Sequence, residues 1–317
     1  MKKVLITDGV HPLLIQGLKQ AGYDCDYRPA VSLDEVRQII GDYNGLIVNS
    51  KILVDPYLLD KAPGLRFVGR LGSGMEIIDR AYAAQKGVAV HNSPEGNCNA
   101  VAEQALGMLL VLANNLLRAD AEVRQQIWER EKNRGFELEG RTVGIVGFGH
   151  TGSSFAQKLN GFSVRILAYD KYKSGYADQL DGVEETDMEQ IFAEADIISF
   201  HLPLTEETRH LVDADFLAAC KPGLVLINTS RGAVVRTQDL LKALENGHLR
   251  GACLDVFENE KPHTFTKMEQ QLYQRLYSLD NVVLSPHIAG WTKESKEKLA
   301  SILLERILKE EAARIVV

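Results

Sequence analysis

The feature that most constrains the fold is a glycine-rich stretch, VGIVGFGHTG at residues 143–152, which separates a strand-like run from a helix-like run. Thr142 to Val146 is apolar and of strand length, and an amphipathic helix pattern begins at Ser153. In such a turn the first glycine permits a tight bend, the second lets backbone N–H groups approach a pyrophosphate, and the third lets the helix pack closely. Taken alone, the motif also fits a purely structural turn. The residues predicted to bind a dinucleotide are Gly147, Phe148, Gly149, His150, Thr151 and Gly152.

An acidic residue follows the next predicted strand at the separation that a dinucleotide site requires. Asp170 follows the strand Val164–Tyr169 and lies 23 residues beyond Gly147, near the separation of about 20 that is typical of such sites. A carboxylate here accepts hydrogen bonds from the adenosine ribose hydroxyls and repels a 2′-phosphate, so Asp170 predicts NAD as the cofactor. Lys171 beside it leaves some tolerance for NADP.

Strands and helices alternate in two blocks along the chain, which is typical of α/β domains with parallel sheets. Predicted strands of the first block are Val4–Thr7, Gly45–Asn49, Arg66–Leu71 and Val88–His91. Further strands of the second block are Ile197–Phe200, Leu224–Asn228, Gly251–Val256 and Val282–Ser285. A last helix, from Lys293 to about Glu311, has the length to return to the first block. We therefore predict an outer domain of residues 1–97 and 291–317 around a dinucleotide-binding domain of residues 98–290, with a ligand cleft between them.

One long helical pattern runs from about Asn99 to Arg130 and is predicted to connect the two blocks. Its first half carries an apolar stripe at helical spacing, and its second half is more polar. The stripe consists of Val101, Ala105, Met108, Leu109, Leu112 and Leu116.

Composition excludes several classes of function. The chain has 317 residues, enough for about two domains, and 45% of them are hydrophobic, as in a folded globular protein. A net charge of −7 argues against nucleic acid or an anionic membrane as a partner. The first residues enter a strand at once, and the longest apolar run is too short to span a bilayer, so we expect a cytoplasmic protein. The four cysteines show no C-x-x-C spacing, which favours reduced, mostly buried thiols over disulfides or a metal site.

Charged and polar residues follow three strands of the second block. Arg231 follows one strand, Asp255 and Glu260 follow the next, and His287 follows the last, so all should lie at the nicotinamide edge. Hydride exchange between NAD and a 2-hydroxy acid needs a cation for the substrate carboxylate and a proton donor and acceptor for the hydroxyl. The guanidinium of Arg231 suits the first task. His287 suits the second, with a buried Glu260 orienting its ring and favouring the protonated form.

Each of these residues also has a structural interpretation. Arg231 and Glu260 could form a surface ion pair, and a histidine after a strand often caps or packs. His201 also follows a strand; it is a candidate for contact with the cofactor and the main alternative to His287 as the carrier of the proton. We expect structural roles for the remaining histidines outside the glycine turn, His11, His91, His210, His248 and His263.

Seven segments together resemble the D-isomer-specific 2-hydroxy acid dehydrogenases, in that family's order along nearly the whole chain. They are VGRLGSGMEIID, NAVAE, GFGHTG, HLPLTEET, INTSRGAVV, LDVFENE and SPHIAG. The resemblance implies a Rossmann-type dinucleotide-binding domain and a flavodoxin-like substrate domain, both doubly wound α/β parallel sheets. It also implies a homodimer formed through the long helix near residues 99–130.

The resemblance assigns roles to single residues. Arg231 would bind substrate, Glu260 and His287 would form the proton relay, and Asp255 would hold the nicotinamide carboxamide. The backbone at Ser73 and Gly74 would bind the substrate carboxylate. The matching motifs add cofactor contacts at His201, Pro203, Thr208, Thr229, Ser230 and His287.

The sequence departs from the family pattern at two places. Lys261 intervenes between Glu260 and the proline that usually follows it, and the stretch up to His287 is longer and contains the helical MEQQLYQRLYSL. In the first domain Asn49 stands where the phosphoglycerate dehydrogenase branch tends to carry arginine.

The resemblance is greatest to that branch, although we expect no regulatory domain after residue 317. Lys51 and Arg70 are candidates for a substrate phosphate, so 3-phosphoglycerate and phosphohydroxypyruvate are the first choice of substrates. Glycerate, hydroxypyruvate, glyoxylate and other small D-2-hydroxy acids are the alternatives. Glu260 argues against a formate dehydrogenase, which would carry glutamine there. A non-catalytic NAD-sensing protein of the same fold remains the alternative from another class.

Overall fold

The computed structural model describes residues 2–177 and 180–315, which form two compact units. The first unit comprises the chain up to Cys98 together with the chain from Trp291 onward, and the second is Asn99–Gly290. The predicted outer domain also included residues 1, 316 and 317, which lie outside the described residues.

The first unit is a five-stranded parallel sheet with strand order β2-β1-β3-β4-β5. This is the flavodoxin-like doubly wound order, as predicted. Its strands are β1 Lys2–Ile6, β2 Tyr23–Tyr27, β3 Gly45–Val48, β4 Phe67–Arg70 and β5 Ala89–His91. Its helices are α1 Pro12–Gln20, α2 Leu33–Ile39, α3 Pro56–Asp60, α4 Arg80–Gln85 and α12 Lys293–Ile315.

Alternation along β1 divides the core of this unit into two layers. Val4 and Ile6 pack with Leu303 and other side chains of α1 and α12. Leu5 points to the opposite face and packs with Val36 and other side chains of α2, α3 and α4. Since successive side chains of a strand point to opposite faces, a fully apolar strand such as β3 can be covered on both sides.

The second unit is a seven-stranded parallel sheet with order β12-β11-β10-β9-β6-β7-β8. Read from β8, this is the Rossmann order with one further strand, so the predicted fold class is confirmed. Its strands are β6 Thr142–Val146, β7 Arg165–Tyr169, β8 Val183–Glu185, β9 Ile197–Phe200, β10 Leu224–Asn228, β11 Leu249–Leu254 and β12 Val282–Leu284. Its helices are α5 Cys98–Ala113, α6 Leu116–Arg124, α7 His150–Leu159, α8 Met188–Glu194, α9 Ala214–Ala219, α10 Thr237–Glu245 and α11 Lys267–Tyr277.

The prediction of one long helix at 99–130 is wrong. The helix breaks after Ala113, and α5 and α6 meet at an angle of 61°. Asn115 adopts a left-handed backbone with φ of 51° at the break, a conformation that asparagine tolerates better than most residues. Gln126 is also left-handed, with φ of 61°, shortly after α6 ends.

No single helix among the described residues has the length and hydropathy to cross a membrane; α5 and α6 meet those criteria only as a bent pair. Helix α5 contributes buried side chains, including Ala105 and Leu109, to the core of the second unit. All four cysteines are free; Cys220 and Cys253 are buried, whereas Cys25 and Cys98 are partly exposed.

Candidate active site

The glycine turn lies between β6 and α7, where two of its glycines are required by close packing. Gly147 has φ of 93°, and a Cβ atom there would lie 2.5 Å from the carbonyl oxygen of His201. A Cβ atom on Gly152 would lie 2.1 Å from the carbonyl oxygen of Gly147. At Gly149, the residue that precedes α7, a Cβ atom would have no neighbour within 4 Å. The turn thus offers exposed backbone at a helix N-terminus, the environment that binds a pyrophosphate.

Asp170 is fixed beside this turn. Its Oδ2 accepts a hydrogen bond from the amide of Phe148 at 2.9 Å, and its Oδ1 accepts one from the amide of Tyr172 at 3.0 Å. Lys171 points elsewhere and pairs with Glu207 at 3.0 Å. The carboxylate therefore stands at the end of β7 next to the turn, where an adenosine ribose would lie.

Two buried polar atoms at neighbouring strand ends have no hydrogen-bond partner among the described residues: Nδ1 of His201 after β9 and Oγ1 of Thr229 after β10. Buried polar atoms without partners are rare, so these two are suited to a ligand. His201 Nε2 lies 2.9 Å from Ser199 Oγ. Burial lowers the pKa of His201 to about 3, so this ring is neutral near pH 7.

The remaining cofactor candidates lie in the same loops. Thr208 Oγ1 donates to the carbonyl oxygen of Pro203 at 2.7 Å and closes the turn after β9. Ser230 is buried and donates through Oγ to Asn228 Oδ1 at 2.8 Å. His150 begins α7, and Thr151 follows it. Together with the glycine turn and Asp170, these groups fit a dinucleotide.

His287 and Glu260 form a direct pair, with 2.8 Å between Nδ1 of the histidine and Oε2 of the carboxylate. The prediction that Glu260 is buried is wrong: its side chain is 38% exposed, and that of His287 is 47% exposed. The reason is that both extend from loops beyond the strands. Partial burial acts to raise the pKa of Glu260, but the hydrogen bond and charge of His287, the amide of Phe257 and the charge of Arg231 overcome it and lower that pKa.

The turn that carries His287 is held by a buried carboxylate. His287 has a left-handed backbone with φ of 58°, and its amide donates to the carbonyl oxygen of Asp255 at 2.7 Å. The fully buried side chain of Asp255 accepts from Ser285 Oγ at 2.6 Å and from the amides of Ile288 and Ala289, each at 2.9 Å. Asp255 thus supports the conformation of this turn.

Arg231 lies on the loop after β10, where Nη1 donates to the carbonyl oxygen of Ser230 at 2.7 Å and the carbonyl oxygen accepts from Asn228 Nδ2 at 2.9 Å. This loop touches the loop after β11, since a Cβ atom on Gly232 would lie 1.9 Å from the carbonyl oxygen of Phe257. Strand order places the loops of Arg231, Glu260 and His287 side by side at the carboxyl edge of the second sheet.

In the first unit, the side chains of the predicted substrate residues Lys51, Arg70 and Ser73 form hydrogen bonds with other residues of the same unit. Lys51 Nζ donates to the carbonyl oxygen of Pro29 at 2.6 Å, and Arg70 Nη1 donates to that of Leu71 at 3.2 Å. Ser73 donates through Oγ to Asn97 Oδ1 at 3.0 Å, and Gly74 beside it is buried.

An acid–base pair and a guanidinium on neighbouring loops, next to a dinucleotide-binding turn, can exchange a proton and hold a carboxylate while a hydride moves. Residues 106–289 match the family described as "D-isomer specific 2-hydroxyacid dehydrogenase, NAD binding domain". The chain belongs to the D-isomer specific 2-hydroxyacid dehydrogenase family. It is therefore an NAD-dependent oxidoreductase, as the sequence predicts.

Relatives of this dehydrogenase extend over most of the chain. A hydroxypyruvate reductase from Thermotoga maritima is 36% identical over 278 residues, which cover 87% of the chain and 88% of the relative. A D-3-phosphoglycerate dehydrogenase from Methanocaldococcus jannaschii is 33% identical over 310 residues, 98% of the chain but 57% of the relative. The crystal structure of D-lactate dehydrogenase from Aquifex aeolicus, complexed with NAD and lactic acid, matches with a TM-score of 0.86 at 27% identity, covering 99% of the chain and 96% of that structure.

Proposed function

We propose that this dehydrogenase interconverts a small D-2-hydroxy acid and its 2-oxo acid, with His287 exchanging the proton of the substrate oxygen. The contact of 2.8 Å between His287 Nδ1 and Glu260 Oε2 carries the proposal. Because Nδ1 is engaged by the carboxylate, Nε2 is the ring nitrogen left to face a substrate. Ionised Glu260 orients the ring and stabilises its protonated form, which donates in reduction; the neutral ring accepts in oxidation.

Arg231 binds the substrate carboxylate in this proposal, because a guanidinium offers two parallel N–H donors. NAD, bound at the glycine turn, supplies the acceptor of the substrate hydride in oxidation, and its reduced form supplies the donor in the reverse direction. Asp170 receives the ribose hydroxyls, and the unpaired His201 Nδ1 and Thr229 Oγ1 contact the same cofactor. Asp255, expected from the resemblance to hold the carboxamide, is fully buried with both carboxylate oxygens engaged, so in this proposal it acts by holding the turn of His287.

For the substrate we propose phosphohydroxypyruvate and 3-phosphoglycerate, with the backbone at Ser73 and Gly74 binding the carboxylate. Two cations of the first unit, Lys51 and Arg70, would bind the phosphate. The phosphoglycerate dehydrogenase relative supports this choice, although the chain spans just over half of its length.

Hydroxypyruvate and glycerate are the second candidate, and a specific observation favours them. Asn49 has a neutral amide where the phosphoglycerate dehydrogenase branch tends to carry the guanidinium of an arginine. The two cations that could bind a phosphate in its place, Lys51 and Arg70, donate to backbone carbonyl oxygens instead. A lost charge-assisted contact costs about 1.5–3 kcal/mol. The hydroxypyruvate reductase relative, matched over most of its length, agrees with this alternative.

A spectrophotometric screen of NADH oxidation tests the proposal, with phosphohydroxypyruvate, hydroxypyruvate, glyoxylate and pyruvate as substrates. Turnover of at least one is expected, and turnover of none would refute the proposed activity in favour of NAD sensing. The ratio of kcat/KM for phosphohydroxypyruvate over hydroxypyruvate then separates the two candidates. It should exceed one and fall in K51A and R70A but not in K86A, an exposed lysine paired with Asp60. A ratio near one that neither variant changes would refute the proposal that the substrate carries a phosphate.

We also propose a cytoplasmic homodimer without nucleic acid or membrane partners. Residues 116–128, directly after the helix break, expose five large apolar side chains, and Trp128 is 74% exposed. They are Leu116, Leu117, Val123, Ile127 and Trp128. A second copy of the chain would cover them. Sedimentation should give a dimer for wild type and for M268E, a change at an exposed apolar residue of α11, and a monomer for L117E; a wild-type monomer would refute the proposal.

A further inference from the structure

Helix α11 belongs to the segment in which the chain departs from the family pattern, and contacts at both of its ends stabilise it. Thr266 and Glu269 form a capping box, in which each side chain receives the backbone amide of the other residue. Near its end, Arg275 forms an ion pair with Glu245 of α10. These contacts give the inserted helix a defined start and a fixed neighbour.

Tyr273 is the most buried polar side chain of α11, at 2% exposure. Its ring is stacked on Phe265 with 4.7 Å between centroids, and it meets Phe257 edge-on at 6.1 Å. Its hydroxyl oxygen accepts a hydrogen bond from the backbone amide of Asn259 at 3.0 Å. Both Phe257 and Asn259 belong to the short segment that ends at Glu260. Helix α11 therefore contacts this loop through Tyr273, and Glu269 adds a hydrogen bond from Asn259 Nδ2 at 3.1 Å.

The opposite side of the same loop is held by Glu258. Its Oε2 accepts from the amide of Thr237, the first residue of α10, at 2.7 Å, and its Oε1 lies 2.7 Å from His210 Nε2. The loop is therefore held on two sides: Glu258 connects it to the loops after β9 and β10, and Tyr273 together with Glu269 connects it to α11. Glu260 comes directly after Glu258 and Asn259, and its Oε1 accepts a hydrogen bond from the amide of Phe257 at 3.3 Å.

We propose that Tyr273 is a positioning residue that fixes the loop of Glu260 and so sets the geometry of the Glu260–His287 pair. The inference rests on the proposed function, in which this pair exchanges the substrate proton. Since Lys261 separates Glu260 from the usual proline, the chain lacks the rigid residue next to its carboxylate. The hydroxyl of Tyr273 and its aromatic contacts supply that rigidity from the inserted helix instead.

Y273F tests the proposal, because it removes only the hydroxyl and keeps the packed ring. Y277F is the matched control: Tyr277 stacks on Tyr273 at 5.6 Å, and its hydroxyl makes no hydrogen bond among the described residues. We expect kcat to fall about 10-fold or more in Y273F with the Kd for NADH almost unchanged, since small misplacements of catalytic groups are costly. Hydrogen exchange of the segment 257–261 should become faster in Y273F alone.

The pH profile gives a readout that a merely structural role would not move. When Glu260 is less well held against His287, its lowered pKa rises toward the ordinary value, so the acidic limb of kcat/KM should shift to higher pH in Y273F.

Unchanged kcat, exchange and pH profile in Y273F, or an equal loss in Y277F, would overturn the positioning role. A wild-type protein inactive on every 2-oxo acid would refute the proposed function instead, and the exchange rates of 257–261 would then still decide whether Tyr273 holds the loop.

Discussion

Replacing Asp255 by asparagine removes one charge from the buried support of the His287 turn without changing the volume of the side chain. In the protein, Oδ1 accepts from Ser285 Oγ and the amide of Ile288, while Oδ2 accepts from the amide of Ala289. An asparagine oxygen can replace only one of these two acceptors, and its NH₂ group then faces another donor. The substitution therefore weakens two hydrogen bonds and breaks the third.

The cost follows from the burial and the charge. Hydrogen bonds to a charged group contribute about 1.5–3 kcal/mol, and a buried donor left without an acceptor costs about 1–3 kcal/mol, so D255N should lower the free energy of unfolding by about 2–4 kcal/mol. His287 is held in a left-handed conformation that costs about 1–2 kcal/mol, so a weakened turn should relax and displace the ring. A displacement of about 1 Å can lower kcat about 10²-fold.

Denaturant unfolding and steady-state kinetics measure both effects. D213N is the matched control, because Asp213 accepts from the amide of Phe216 at the start of α9. Loss of charge at this cap should cost at most about 1 kcal/mol and leave kcat unchanged. D255N that unfolds like D213N and keeps the wild-type kcat would refute the assignment of Asp255 as the support of this turn.

Three further predictions concern the cofactor site. G149A places its Cβ atom in open space, so it should keep the wild-type Tm but weaken NAD binding. G152A places its Cβ atom 2.1 Å from a carbonyl oxygen, so it should lower the Tm as well. Equal changes of Tm in the two variants would contradict this distinction. D170A should narrow the preference for NAD over NADP by about 1–3 kcal/mol, measured from the two Kd values, and a wild type that prefers NADP would contradict the role of Asp170. Burial lowers the pKa of His201 to about 3, so the unfolded chain binds its proton more readily between about pH 6.5 and that value, and stability falls as the pH falls through this range. The free energy of unfolding that is lost between pH 7 and pH 5 should be about 2 kcal/mol smaller in H201Q than in wild type. An equal loss in both proteins would show that His201 is not held in a buried, neutral form.

The sequence was sufficient to predict most strands of both sheets, because each of those strands has a short-range apolar pattern, and the candidate pair follows from where these strands end. Apolar runs such as Leu224–Asn228 and Ile197–Phe200 match the strands residue for residue. Parallel strands bring their carboxyl ends to one edge, so residues placed after β10, β11 and β12 had to become neighbours. The contact between Glu260 and His287 follows from that topology.

Features that depend on tertiary contacts could not be predicted in the same way. Strand β2, YDCDY, is too polar to show an apolar run and is stabilised as an edge strand by pairing with β1. The break at Asn115 interrupts an otherwise continuous helical pattern. The hydrogen bond between the amide of Asn259 and the hydroxyl of Tyr273 joins two separate segments, and no local spacing indicates it.

Rapid-mixing measurement of NADH oxidation in H287N and wild type, with the best substrate of the 2-oxo acid screen, tests the central claim most directly. We expect the rate of the chemical step to fall about 10²–10⁴-fold while the Kd for NADH changes much less, because general acid–base catalysis is lost and the other cofactor contacts remain. A wild-type rate in H287N, with the loss found in H201Q instead, would contradict it.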